Sequence, residues 1–421
     1  MRKLALIALL LPATVFGQDL SGMWYGQVDI MGMKLRLNLD LQSKGDSWTP
    51  ILYSPDQTDK AMEGAVVVIE NDSLHLDFEA LQLTYDAKFN ESFTEMSGQF
   101  KQATIRSEMT MGREEIQPEE VKRPQTPSEP FGVVEEVMIE NKETGFKIGA
   151  TVTMPEGEGP FKFVVFASGS GAQDRDENIL EHKPFAVLAD HLARKGIASV
   201  RFDDRGTGVS EGTFMGTDID GFASDVKAVY QYARSRKEAG KVGLLGHSEG
   251  GIHIMKVQKE LLNADFMVFM ACLGVKGDEL YLKQQHDLTI LGGESEEEAN
   301  KVVKFWEEII EIGRKEKEPT KPLKRFLTET YNELSAEEKK LVGNEMQFVQ
   351  GILMTIDNGW FRQFQDFEPK KYWKSMKTVP SLALNGTKDC QVEVNMNLEG
   401  FENGLKKVKN LNYKIERCEG M

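Results

Sequence analysis

Cysteine is nearly absent from this 421-residue sequence: three residues, too few for a disulfide framework. Proline is scarce as well, and 14 prolines with 38 unpatterned glycines exclude a collagen-like or low-complexity chain. Positive charge falls short of negative, 51 Lys and Arg against 67 Asp and Glu, for a net of −16. That balance speaks against nucleic acid or an anionic membrane surface as the main partner. Histidine is rare too: only His75, His182, His191, His247, His253 and His286. No His/Cys spacing suggests a metal site. What is present is ordinary globular material, 40% hydrophobic and 28% charged, enough for two or three folding units at roughly 150 residues each.

Long apolar runs are missing except at the start. Met1-Arg2-Lys3 is basic, Leu4 to Leu11 is unbroken apolar sequence, Pro12 ends it, and Val15-Phe16-Gly17 suits a signal peptidase. Residues 1–17 are therefore expected to be a signal peptide cleaved before Gln18, with secretion, most simply to a bacterial periplasm. The run is too short to span a bilayer and no later one approaches ~20 apolar residues. No integral membrane segment is expected after its removal.

Within a first domain taken as 18–115, the sequence from Gly22 to about Met111 alternates with period two. Met33, Leu35, Leu37, Leu39 and Leu41 interleave with Lys34, Arg36, Asn38 and Asp40, and the runs Leu74-Leu76-Phe78 and Leu81-Leu83-Tyr85-Ala87-Phe89 repeat the pattern. Half-buried strands with turn-rich punctuation predict a small antiparallel barrel or sandwich. Trp24 and Tyr25 could line a ligand site, although core packing is the commoner fate of such a pair. Four prolines within 117–130 mark a linker, taken as 116–131.

From 132 to 421 the texture changes. Short continuous apolar runs at 162–167, 198–202, 242–245, 266–271 and 379–384 read as strands covered on both faces. Helical patterns at 184–195, 219–236, 250–262 and 392–407 lie between or after them. The alternation predicts an α/β unit with a mostly parallel sheet. Residues 274–371 interrupt it with charged, helical sequence; Ser295-x-x-Glu298 and Ser335-x-x-Glu338 read as capping boxes, and the insertion reads as a helical lid.

Chemistry concentrates where a strand meets a helix. Gly246-His247-Ser248-Glu249-Gly250 is G-x-S-x-G between an apolar strand and a helical pattern, the setting in which a tight turn lifts a serine hydroxyl above the sheet edge. Ser248 is the candidate nucleophile. An acyl-transfer serine needs amide donors for the oxyanion, a base, and an acid that orients it. The Glu249 N–H is one candidate donor and the Ser170 N–H, after the strand ending at Ala167, the other. Asp389, after a late strand, is the candidate acid. Asp203 and Asp204 precede the serine and read as braces of the turn 203–208. His247 reads as a packing residue.

The blocks Ser170-Gly171-Ala172-Gln173-Asp174-Arg175-Asp176-Glu177, Phe202 through Ser210 and Gly246 through Gly251 resemble the signatures of α/β-hydrolase esterases, among them bacterial acyl-esterases and serine aminopeptidase-like proteins. The resemblance covers about 133–421. It implies an α/β-hydrolase fold, hydrolysis of small carboxylic esters without a cofactor, Ser248 as nucleophile, Asp389 as acid, and Ser170 and Glu249 as oxyanion donors. Ser168 stands where many relatives have His, a change of little expected effect because the backbone acts there.

The resemblance also implies a histidine base after the last strand, beyond Asp389. Residues 411–418 read as that strand, and all six histidines precede Asp389. The expectation is a hydrolase whose C-terminus is incomplete; the alternative is an enzyme that lost its base. Loss of a triad member costs on the order of 10⁴-fold, so poor ester hydrolysis is expected. Two other readings stay open: a peptidase of the same fold, and a catalytically silent binding protein. Gly206-x-Gly208 is not a dinucleotide loop, since its third glycine is misplaced. Cys390 and Cys418 follow neighbouring strands and could pair, with two buried thiols the commoner outcome. Acyl preference and oligomeric state are not written in the sequence.

Overall fold

Period-two alternation becomes nine strands: β1 (Gly22–Ile30), β2 (Met33–Lys44), β3 (Ser47–Ser54), β4 (Thr58–Met62), β5 (Val66–Glu70), β6 (Ser73–Phe78), β7 (Leu83–Phe89), β8 (Glu95–Gln102) and β9 (Ile105–Gly112). The computed structural model describes residues 20–30, 33–45, 47–56, 58–78, 81, 83–102, 105–117, 125–127, 129–179, 181–316, 318–356 and 359–421. The expected signal peptide and part of the linker lie outside them. The strands pair antiparallel in one sheet of order β4-β3-β2-β1-β9-β8-β7-β6-β5. A single core joins both arms of that order, with Leu39 and Leu41 of β2 beside Leu74, Leu76 and Tyr85 of β6 and β7. One open, barrel-like sheet is therefore formed rather than two stacked ones. Trp24 is fully buried, donates from Nε1 to the Leu20 carbonyl at 3.0 Å and carries the Arg113 guanidinium over its ring at 3.7 Å. It is a core residue.

The second sheet holds β10 (Val133–Glu140), β11 (Lys147–Met154), β12 (Phe161–Ala167), β13 (Ile197–Phe202), β14 (Ala239–His247), β15 (Met267–Met270), β16 (Ser381–Gly386) and β17 (Tyr413–Cys418). Their order is β10-β11-β13-β12-β14-β15-β16-β17. Only β11 runs against its neighbours; the pairs from β13 to β17 are parallel. Counted within the sheet, that is 1-2-4-3-5-6-7-8, an α/β-hydrolase arrangement. Crossovers come from α1 (Pro184–Arg194), α2 (Ile219–Ser235) and α3 (Gly250–Leu261). The Asp218 carboxylate starts α2 by accepting from Gly221 N at 2.9 Å.

Residues 274–371 are helical as expected: α4 (Gly277–Leu291), α5 (Glu296–Lys315), α6 (Thr320–Glu333), α7 (Ala336–Val342), α8 (Glu345–Ile356) and α9 (Gly359–Gln365), with α10 (Val394–Lys407) after β16. The capping box at Ser335 is complete, Glu338 N reaching Ser335 Oγ at 3.2 Å and Ser335 N reaching Glu338 Oε2 at 2.7 Å. At Ser295 only the serine half forms, because Glu298 turns to Lys301 at 2.6 Å. The chain divides into two compact units at Glu120/Val121, and Tyr331–Phe348 groups with the first. The expected insertion is thus shared between units. Among the described residues no helix is long and apolar enough to cross a membrane.

Candidate active site

β14 ends at His247 and α3 begins at Gly250, so Ser248 and Glu249 make the whole turn. Ser248 sits at φ 51°, a left-handed conformation costly for a residue with a side chain. Both flanking glycines are required sterically. A Cβ on Gly246 would stand 2.5 Å from the Gly250 carbonyl carbon, and one on Gly250 would run into the carbonyls of Ala167 and Ser168. The bend is held by Ser248 N to Met270 O at 2.9 Å and Gly251 N to Ser248 O at 3.1 Å. The serine is half-buried, at the C-terminal ends of the parallel strands, where open α/β sheets place ligands.

Ser170 lies in the loop after β12. The amide before it, Gly169 N, already donates to Glu177 Oε1 at 2.7 Å. Among the described residues the Ser170 and Glu249 amides find no protein acceptor. Gly169, Ser170 and Glu249 line a cavity of about 270 Å³ whose apolar walls include Phe222, Met354 and Trp360. Ser170 and Glu249, the residue after Ser248 in the elbow, thus border one space.

Asp389 follows β16, two strands from β14 in the sheet order. Its Oδ1 accepts from Gln391 N and Val392 N, both at 2.9 Å. Residues after β17 pack on the same loop: Lys388 N donates to Met421 O at 2.6 Å and Gly420 N to Thr387 Oγ1 at 3.0 Å. Among the described residues no histidine is hydrogen-bonded to Asp389 or to Ser248 Oγ. His286 is occupied by Asp287 at 3.1 Å and Glu296 at 3.0 Å.

The surrounding charges carry more than the sequence disclosed. Asp203 takes Arg175 N (2.8 Å), Arg175 Nε (2.9 Å), Arg175 Nη2 (2.7 Å) and Val209 N (3.0 Å). Burial would raise its carboxyl, but the Arg175 bonds hold it below the usual range. Asp204 accepts from Ser168 Oγ at 3.0 Å and Gln173 N at 2.9 Å. Its burial, aided by the Glu249 charge, pushes it up to about 7 against the pull of those bonds and of His253. So the two aspartates brace the loop 168–175 as well as their own turn. Glu249 is 3% exposed; its Oε1 accepts from Trp360 Nε1 at 2.8 Å and meets His253 Nε2 at 3.2 Å, while Oε2 has no partner.

His247 is more than a packing residue. Its ring meets Phe185 edge-on, and its Nδ1 lies 2.7 Å from Glu177 Oε1. Burial lowers its pKa, but the Glu177 hydrogen bond and the charges of Glu177 and Asp389 leave it raised. Glu177 closes the motif block that begins at Ser170, and its spacing along the chain does not disclose its partners. The pull on Gly169 N was its hidden role. Cys390 and Cys418 are free and half-buried, and Cys272 is buried against Gly246 O at 3.1 Å. No group of three or more His, Cys, Asp or Glu among the described residues could hold a metal ion.

Residues 181–275, which contain the elbow, match a family model described as serine aminopeptidase, S33. Esterase EstD of Thermotoga maritima is 34% identical over 122 residues, a match spanning 28% of this chain and 29% of that protein. The chain is an α/β hydrolase by fold. Similar solved structures include the Pyrococcus furiosus esterase Pf2001, 15% identical with TM-score 0.42 over 68% of this chain and 81% of that one. A hypothetical protein of Pseudomonas aeruginosa, PA2218, is 15% identical with TM-score 0.44 over 73% and 92%. The sheet order itself, rather than those modest scores, carries the assignment of fold.

Proposed function

We propose that this hydrolase is a secreted serine esterase acting on small carboxylic esters. The observation that carries the reading is a strained serine at a strand–helix bend, with two amides that find no protein acceptor among the described residues and that belong to residues lining a cavity. Ser248 Oγ attacks the ester carbonyl, and the Ser170 and Glu249 N–H groups receive the developing oxyanion, a contribution worth roughly 10²–10³ per donor. The alcohol departs with a proton, leaving an acyl-serine that water cleaves to acid and free serine. Asp389 is the acid of the set. Met354 and Trp360, from α8 and α9, close the cavity as a lid. The base, a histidine in the resembled family, is not assigned to any of the six histidines of this sequence.

Fluorophosphonate labelling tests the nucleophile. Uptake by the wild type at one site, absent in Ser248→Ala, supports the reading; equal uptake by both, or none by either, refutes it. Rapid ester turnover abolished by Ser248→Ala would place a base elsewhere in the chain. The matched family model's description favours one second reading, hydrolysis of aminoacyl amides. Rates on an acyl ester and an aminoacyl amide of equal size separate the two.

A further inference from the structure

We infer that Glu177 and His247 form a clamp that fixes the Ser170 loop against the Ser248 elbow, making both positioning residues for the acyl site. The inference rests on the reading of Ser248 as nucleophile. A single oxygen, Glu177 Oε1, accepts from Gly169 N at 2.7 Å and meets His247 Nδ1 at 2.7 Å. Gly169 immediately precedes the candidate oxyanion donor and His247 immediately precedes the candidate nucleophile. One carboxylate therefore holds both residues from behind. The closeness is measured at Gly169: a Cβ there would stand 3.3 Å from Ser248 Cβ and 3.4 Å from both His247 Nδ1 and Glu177 Oε1.

The clamp is anchored at its own end. Glu177 is 2% exposed and sits at φ 53°, a conformation that persists only where the surroundings over-determine it. Glu177 N donates to Asp174 O at 2.9 Å, Phe185 N to Asp176 O at 3.2 Å, and the Asp176 carboxylate pairs with Arg201. The charged groups facing His247 are Glu177, from the loop after β12, and Asp389, from the loop after β16; α1 presents the Phe185 ring. Both charges favour the imidazolium. The ion pair is therefore complete below the ordinary histidine pKa and is lost as pH rises through the raised one. Gly169 N is thereby engaged, whereas Ser170 N has no protein acceptor among the described residues.

Misplacing a reacting group by about 1 Å costs on the order of 10²-fold, which sets the scale of the test. Glu177→Gln keeps an acceptor for Gly169 N but removes the charge; Glu177→Ala removes both. The clamp predicts that fluorophosphonate labelling of Ser248 slows by roughly 100-fold in Glu177→Ala and by less than about 10-fold in Glu177→Gln. It also predicts that the His247 titration midpoint falls in Glu177→Gln. That midpoint is read by NMR of histidine-labelled protein, with His247→Gln identifying the signal. A Glu177→Ala rate within threefold of wild type, or an unmoved His247 midpoint in Glu177→Gln, overturns the inference. If Glu177→Ala fails to fold, Glu177→Gln decides it alone. Absence of labelling in the wild type overturns the nucleophile reading instead, and the His247 titration still decides the clamp.

Discussion

Replacing Asp204 by asparagine should change how the second unit's stability responds to pH. Asp204 is 8% exposed and its carboxyl is pushed from 3.8 up to about 7, first by burial and then by the Glu249 charge, against the pull of Gln173 N, Ser168 Oγ and His253. A carboxyl with a raised folded pKa binds its proton more tightly when folded. Its stabilising contribution is therefore full below the unfolded value and is lost as pH rises through the folded one. At 1.36 kcal/mol per pH unit the complete swing is about 4 kcal/mol, of which about 3 kcal/mol falls between pH 5 and pH 8. Asparagine has no such swing. It offers one carbonyl oxygen where the carboxylate serves both Ser168 and Gln173, so about 1–3 kcal/mol is lost at every pH. The stability gap between variant and wild type should then move by about 3 kcal/mol in the variant's favour from pH 5 to pH 8. Hydrogen exchange at the amides of β12 and β13 reads the opening of this unit directly. A gap that moves by less than about 1 kcal/mol would refute the assignment of a buried, proton-holding carboxyl.

Two further substitutions test the packing around the site. Gly250→Ala drives a methyl into the Ala167 and Ser168 carbonyls; thermal unfolding should show a loss of about 1–3 kcal/mol and probe uptake a fall of roughly 100-fold, and wild-type uptake would mean the bend is not tight. Arg205→Ala strands Asp225, which is buried and takes Arg205 Nε and Asn141 Nδ2, both at 2.6 Å. Denaturant titration should show a loss of about 3–5 kcal/mol, partly recovered when Asp225→Asn removes the orphaned charge.

Architecture was legible because its signals are local. Leu74, Leu76 and Phe78 face inward at the spacing the alternation requires, and the runs that became β12 and β14 are buried on both faces. β10 gives no such signal. Val133, Val134 and Met138 are exposed and only Ile139 of β10 is buried, so this edge strand carries little hydrophobic pattern. The elbow could be read because its glycines, strand and helix are contiguous. The network behind it could not, because its members lie far apart in sequence: Glu177 meets His247 across 70 positions, and Glu249 meets Trp360 across 111. Spacing along a chain says nothing about such pairs. Grouping of Tyr331–Phe348 with the first unit was hidden for the same reason.

The proposed chemistry on uncharged esters does not by itself explain why the loops at 168–177 and 203–210 are spelled in charged residues; the sheet order does. β12 lies between β13 and β14, and the loop that follows it has irregular backbone whose partly buried amides need acceptors that no ladder supplies. From the β13 side, Asp203 and Asp204 accept Arg175 N and Gln173 N. From the β14 side, His247 meets the Glu177 carboxylate that accepts Gly169 N. Arg175 carries the bracing outward to Thr151 Oγ1 at 3.0 Å and to Glu136, on β11 and β10. A loop tied to both flanking strands in this way can present the Ser170 amide at a fixed place without secondary structure of its own. Carboxylates suit the task because each has two oxygens that accept without donating, so one side chain can satisfy an amide and bind a cation at once. The charge in these loops is therefore spent on holding backbone in position, and the site it frames needs only an amide pair and a hydroxyl.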